Sequence, residues 1–503
     1  MLKEIKLVGE QKKVLFLPPQ NPIQIKGVAG SGKTTVALYR AKHLIETQSN
    51  LFEDANVIIF TFNKTLASYI KNISPYISGG YSKNNDFIDT SITKGLNVKI
   101  INFHSWAYHF VGIEYNSTIM DWDKIKVINQ CKNDLETLET TNIITKSSEF
   151  FIEEISWIKG KLFTSLDDYI EAKRTGRGNT DRVTKKDKET IWKVYEKYNF
   201  YLKKLGKVDF DDYAILALHK IENDSNFKPS YTHIIVDEAQ DLNKAQMLTI
   251  SKLVSPNTNS ISIIADAAQK IFKSGFTWSE IGLNVRGGRT IEFKKNYRNS
   301  YFIAKASASL LEHEEDKSEF TEIEISQQNG NKPIIGFFNS KPEEYNFLLN
   351  EINTLKNNKK TNSTIILHRT HEGVKEISNF LNQNNIQTEI IKSSRAINYF
   401  NSTIKICTMS SIKGLEFDNV FIVDLNDDIF PLPSGFIDAN DEYHISTERR
   451  LLYTCMTRAK NYLYLLSSNT PTRYFSEIDE QYISKIETNE NLIINTNEDE
   501  IPF

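Results

Sequence analysis

The stretch Gly27-Val28-Ala29-Gly30-Ser31-Gly32-Lys33-Thr34 fits G-x-x-x-x-G-K-[ST] at every fixed position. It constrains the fold because such a loop works only between a buried strand and a helix N-terminus. Ile23-Gln24-Ile25-Lys26 in front reads as the strand, and Thr34-Thr35-Val36-Ala37-Leu38-Tyr39 behind opens the helix. Glycines let the backbone curl so that amide N–H groups face a phosphate, and the helix N-terminus adds a favourable potential. Lys33 is placed to reach β- and γ-phosphates, and the Thr34 hydroxyl to hold Mg²⁺. Nucleotide binding is expected from Gly27 to Thr35.

A second pattern gives the loop a use. Thr232-His233-Ile234-Ile235-Val236 reads as a strand, and Asp237-Glu238-Ala239-Gln240-Asp241 follows it directly. Two carboxylates at a strand's carboxyl end have separate duties. Asp237 is expected to orient Mg²⁺, directly or through water, and Glu238 to accept a proton from the water that attacks the γ-phosphate.

Further strands are expected at Val57–Thr61, Ser260–Ala265 and Arg289–Phe293. A second set runs through Pro333–Phe338, Thr364–Leu367, Ile404–Met409, Val420–Asp424 and Tyr462–Leu466. Strands alternating with helices on this scale predict an α/β chain with two parallel sheets covered on both faces. Residues 111–205 differ: they are charged, rich in Glu, Lys and Tyr, and carry helical periodicity, so they read as a helical insertion. The expected order is a first α/β domain over 1–110 and 206–298, the insertion over 111–205, a second α/β domain over 299–476 and an acidic flexible tail over 477–503. Asn84 to Lys99 is polar and reads as a connection.

Net charge is −3, so any nucleic-acid site is a local groove and not a basic whole. Cys131, Cys407 and Cys455 are far apart and in no metal-ligand spacing, which suits a reducing compartment. The start is not that of a signal peptide, and no apolar run reaches ~18 residues. A cytoplasmic enzyme without a membrane partner is expected.

Phosphate loop and Asp-Glu-x-x-Asp, in this order, resemble the superfamily 1 helicases of the UvrD/Rep/PcrA group, and the resemblance extends over most of the chain. It implies two RecA-like domains with ATP and Mg²⁺ between them. Gln11 lies where the family reads adenine. Thr61-Phe62-Asn63-Lys64 and Phe103-His104-Ser105 resemble motifs that touch single-stranded DNA, and Asp209-Phe210-Asp211-Asp212 the segment before the Asp-Glu strand. In Ala265-Asp266-Ala267-Ala268-Gln269, Gln269 is implied as γ-phosphate sensor. In Asn296-Tyr297-Arg298, the resemblance implies Tyr297 as a stacking partner of adenine and Arg298 as a γ-phosphate contact. The fifth motif, from Thr408 to Phe417, supplies Thr408 on DNA and Glu416 on the ribose. The sixth, from Glu448 to Lys460, supplies Arg458 as an arginine finger, a planar fork that stays charged.

The resemblance departs in places. Ser274 falls about where a DNA-stacking tryptophan is usual, with Phe276 or Trp278 as substitutes or as core. Ser410 replaces a common histidine. Leu367-His368-Arg369-Thr370 is followed by Thr408 within about forty residues, so the large second insertion of well-known members has no room. Translocation on single-stranded DNA, 3′→5′, is the expected activity, with RNA and duplex junctions open as substrates. The alternative is a nucleic-acid-triggered ATPase subunit beside a nuclease or repair partner. Short UvrD-like proteins of this size occur in antiphage systems such as Gabija. The basic run Lys173-Arg174-Thr175-Gly176-Arg177-Gly178, with Arg182, Lys185 and Lys186, is either a phosphate contact or a solvated loop. The ending Ile501-Pro502-Phe503 after acids resembles the docking tip of bacterial single-strand-binding proteins, with a solvated tail as the alternative.

Overall fold

A computed structural model describes residues 6–49, 54–62, 64–73, 92–93, 96–114, 116–135, 140–172, 183–269, 276–358, 363–391, 403–432 and 442–487. Asn63, the basic run from Lys173 to Arg182, the stretch from Lys270 to Gly275 and the C-terminal tip lie outside them.

The first sheet holds β1 (Ile23–Gly27), β2 (Val57–Thr61), β3 (Ile92–Thr93), β4 (Leu96–Asn102), β5 (His233–Val236), β6 (Ser260–Ala265) and β7 (Thr290–Phe293). Their spatial order is β3-β4-β2-β5-β6-β1-β7, parallel except for the β3–β4 pair. A short parallel pair, β8 (Lys295–Asn296) and β9 (Glu324–Ile325), leads to the second sheet. That sheet holds β10 (Ile334–Phe338), β11 (Thr364–His368), β12 (Thr388–Ile390), β13 (Ile404–Thr408), β14 (Phe417–Ile422), β15 (Ala459–Ser468) and β16 (Ser484–Glu487). It runs β12-β13-β11-β14-β15-β10-β16 and is parallel throughout.

Parallel sheets bury both faces, and the apolar strands obey this. In β2, Val57 and Ile59 pack toward α1 (Lys33–Gln48) and α2 (Lys64–Ile73), while Ile58 and Phe60 point to the opposite face. There they meet α3 (Phe103–Val111), α8 (Asp212–Asn223) and α9 (Lys244–Ser251). Between α3 and α8 the chain makes α4 (Asp121–Leu135), α5 (Ser148–Lys161), α6 (Leu166–Glu171) and α7 (Lys185–Lys204). These helices enclose a core of their own around Ile128, Cys131, Phe151, Ile158, Tyr169 and Ile191. Ser165 and Thr184 cap α6 and α7 by accepting from the amides of Asp168 and Asp187. Buried Lys159 ties this insertion to the first sheet's domain through Asp209 at 2.8 Å and Asp212 at 2.7 Å.

In the second domain α10 (Tyr301–Leu311) and α13 (Glu442–Met456) cover one face of the sheet. α11 (Lys341–Asn357) and α12 (His371–Gln383) cover the other. Between β11 and β13 the described residues hold only α12 and β12.

Two expectations need correction. β4 begins at Leu96, inside the stretch read as a polar connection. The flexible tail expected from 477 does not hold over its described part, 477–487. Ile478 and Ile483 are buried, and β16 adds to the sheet edge beside β10. An edge strand needs few apolar residues, so the polar composition hid it.

Candidate active site between the two sheets

The phosphate loop leaves the carboxyl end of β1, next to β6 and two strands from β5. Ligands of open α/β sheets bind at the carboxyl ends of strands. The loop is braced from several sides. Val28 donates its amide to the Phe293 carbonyl at 3.1 Å, and Tyr297 donates its own to Gly30 at 3.0 Å. Ala29 and Ser31 are buried within the loop, and Thr35 sits half-buried in the first turn of α1. Lys33 Nζ is 2.9 Å from the Gly27 carbonyl, 3.1 Å from that of Val28 and 3.0 Å from Asp266 Oδ2.

The expected catalytic groups converge here. Thr34 Oγ1 donates to Asp237 Oδ2 at 3.0 Å, which puts a hydroxyl and a carboxylate side by side. Burial pushes the Asp237 carboxyl up to about 7, and the charge of Glu238 adds to it. Glu238 is buried too, which opposes its ionisation, but Lys33, Lys413 and Arg458 outweigh that and hold it below the usual range. Its backbone lies at φ 56°, the left-handed region that a glutamate rarely adopts. Gln240 Nε2 reaches Glu238 Oε2 at 2.5 Å, and its Oε1 accepts from the Asp266 amide at 3.0 Å.

The second domain supplies the facing wall. Arg458, just before β15, donates Nη2–H to Gln269 Oε1 at 2.8 Å. Burial lowers its guanidinium to about 10, with help from Arg298, so it remains charged at neutral pH. Arg298 Nε donates to Glu416 Oε2 at 2.6 Å. Burial opposes the Glu416 charge, yet Arg298 and Lys460 hold its carboxyl down at about 2. Asn299 brings these arginines together: its amide donates to the carbonyls of Thr457 at 3.0 Å and Ala459 at 2.5 Å. Lys413 crosses from the second domain to Asp241 Oδ2 at 2.6 Å and the Gln269 carbonyl at 2.8 Å. The result is a narrow polar cleft lined by Gly30, Gly32, Lys33, Thr34, Glu238, Gln269, Arg298, Gly414 and Arg458.

On the rim, Gln11 accepts from the Val8 amide at 2.9 Å and donates to the Ser31 carbonyl at 2.8 Å. The Tyr297 hydroxyl accepts from the Glu10 amide at 3.2 Å.

The expected DNA contacts are less uniform. Lys64 is exposed at the start of α2, and Phe62 is half-buried against the core. His104 sits edge-on to Phe210, 5.7 Å away, and its Nε2 is 3.3 Å from Gln246 Nε2. Burial lowers the His104 imidazole to about 4, with Lys64 and Lys124 adding to the effect. Thr408 is buried, its hydroxyl 2.9 Å from that of Ser411. Phe103 contradicts the expectation: it has no exposed surface and packs on Phe60 and Trp106, so its ring is core.

Sequence reasoning did not assign Asp266, Gln240, Asn299 or Lys413. Each lies within or beside a quoted motif, but at least one partner of each lies in another motif. Lys413 and Asp241, for instance, are 172 positions apart.

Comparison with known proteins agrees with this geometry. Residues 7–281 match the UvrD/REP helicase N-terminal domain, and residues 291–401 and 393–470 the UvrD-like helicase C-terminal domain. The chain belongs to the UvrD/Rep helicase family. Its two α/β domains are therefore of the RecA-like type. An ATP-dependent DNA helicase PcrA of Leuconostoc citreum is 24% identical over 389 residues, covering 74% of this chain and 48% of that protein. One of Staphylococcus aureus is 27% identical over 369 residues, covering 70% and 46%. The chain thus spans about half the length of the curated relatives it matches. No helix among the described residues of this UvrD/Rep member is long and apolar enough to cross a membrane.

Proposed function

We propose that this chain is an ATP-driven translocase and helicase on single-stranded DNA, moving 3′→5′. The observation that carries the reading is the meeting of Lys33, Thr34, Asp237, Glu238 and Gln269 with Arg458 across one cleft. ATP is the ligand proposed for that cleft, with its phosphates on the loop amides and Lys33. Thr34 and Asp237 offer hard oxygens suited to Mg²⁺, which when bound neutralises phosphate charge. Glu238 orients the attacking water and takes its proton. Gln269 and Arg298 contact the γ-phosphate, and Arg458 stabilises the charge that develops there. Each cation already has an acceptor from the chain. Phosphate binding is an exchange of partners that changes contacts between the domains, which suits stepping along a strand. Phe62, Asn63, Lys64, His104 and Thr408 lie on the DNA side in this reading.

Strand displacement on duplexes with 3′ or 5′ tails, beside DNA-stimulated ATP hydrolysis, is the test. Hydrolysis indifferent to oligonucleotide would sink it. One observation favours a second reading, an ATPase subunit that unwinds little alone: between β11 and β13 the described residues hold one helix and one strand. Displacement that appears only with a nuclease or repair partner would select it, and RNA oligonucleotides in the same assay would settle the nucleic acid.

A further inference from the structure

Arg40 is completely buried in α1, about two turns beyond Lys33, and no carboxylate pairs with it among the described residues. It faces the end of a short 3₁₀ helix, Gly9–Phe16. Its Nη1 donates to the Leu17 carbonyl at 2.9 Å and the Val14 carbonyl at 3.3 Å, and its Nη2 donates to that of Pro18. A helix end leaves carbonyls without partners, and a guanidinium can satisfy several in one plane. Burial lowers the Arg40 guanidinium to about 10, so it stays charged at neutral pH and sits against the negative end of the helix.

That 3₁₀ helix carries Gln11. An amide can discriminate adenine from guanine only if it cannot turn over, because rotation exchanges donor for acceptor. Here the Val8 amide fixes Oε1 and the Ser31 carbonyl fixes Nε2. Each end keeps one further hydrogen-bonding position for a base. The fit is close: a Cβ on Gly32 would lie 2.3 Å from Gln11 Nε2, and one on Gly9 would lie 2.3 Å from the Tyr297 hydroxyl. A small shift of the 3₁₀ helix on α1 breaks the lock to Ser31, whereas the lock to Val8 lies within the same segment and moves with it.

We propose that Arg40 is a positioning residue for base selection, clamping the Gln11 segment to the phosphate-loop helix so that the amide holds one orientation. This rests on the reading of Gln11 as an adenine contact. Arg40 touches neither phosphates nor the hydrolytic groups, so its loss changes which base is accepted and spares turnover.

The test is steady-state hydrolysis of ATP and GTP, with saturating oligonucleotide, by wild type, Arg40→Met, Arg40→Lys, Gln11→Ala and Arg40→Met/Gln11→Ala. Expected for Arg40→Met is a KM for ATP raised about tenfold, kcat within about twofold, and a smaller preference for ATP over GTP. Arg40→Lys, which reaches fewer carbonyls, falls between, and it carries the test alone if Arg40→Met does not fold. The double variant discriminates no worse than Gln11→Ala. An unchanged ATP/GTP ratio in the Arg40 variants, with a lowered ratio in Gln11→Ala, overturns the clamp and leaves the adenine reading standing. An unchanged ratio in Gln11→Ala overturns the adenine reading and the proposal with it.

Discussion

Lys413 Nζ and Asp241 Oδ2 lie 2.6 Å apart across the cleft, one from each RecA-like domain, with side chains no more than 1% exposed. Breaking a buried pair leaves an uncompensated charge, at a cost of about 3–5 kcal/mol. Lys413→Met and Asp241→Asn should each lower unfolding stability by that order in denaturant titrations. The double variant should lose less than the two single losses combined. Because the pair joins the domains, both variants should also lose most of the DNA stimulation of ATP hydrolysis. Additive losses would show that the contact is not an energetic unit.

Glu238→Gln should abolish ATP turnover while ATP still binds, because an amide keeps the shape and removes the base. Its measure is single-turnover hydrolysis beside nucleotide titration. Near-normal hydrolysis would take Glu238 out of the role.

Arg298→Ala and Arg458→Ala should each lower kcat by ~10³ or more if they act as arginine fingers do. The two substitutions release different partners, Glu416 and Gln269. If both retain DNA-stimulated hydrolysis, the ATP site is not between the domains.

Much of this was legible because apolar strands and motif residues are local patterns. Val57–Thr61 and Ser260–Ala265 were read to the residue. What stayed hidden is non-local. Whether an aromatic in a motif is contact or core depends on which neighbours cover it, and Phe60 and Trp106 cover Phe103. The edge strand β16 was hidden because its alternation is weak and its partner, β10, lies far earlier in the chain. Asp266 was visible as a motif member, yet only the fold brings it to Lys33.

Glu344 gives a pH test away from the cleft. It is fully buried, and its Oε1 accepts from the Asp424 amide at 2.7 Å. Burial pushes its carboxyl up to about 8, with the charge of Asp424 adding to it. The folded state therefore holds this proton more tightly than the unfolded chain. That stabilisation is full below about 4.3 and is lost as pH rises through about 8. Glu344→Gln keeps a carbonyl for the Asp424 amide and removes the titration. Urea unfolding at pH 5 and pH 9 should show the variant gaining on wild type at the higher pH. An equal difference at both would refute the assignment.

Lys64 and His104 separate charge from shape on the proposed DNA side. Lys64 is exposed, and His104 stays neutral near pH 7 because burial holds it at about 4. Only a charged group releases counterions from a phosphate backbone. ATP hydrolysis should depend on single-stranded oligonucleotide, and affinity should fall steeply with salt. Lys64→Ala should flatten the slope of log K against log salt by roughly 0.7, the value for one phosphate contact on a single strand. His104→Ala should weaken binding with the slope unchanged, since it removes the ring that packs against Phe210. Fluorescence anisotropy of a labelled oligonucleotide over a range of salt concentrations reads both. If His104→Ala changed the slope as Lys64→Ala does, the imidazole would be charged in the complex and the neutral assignment would fall.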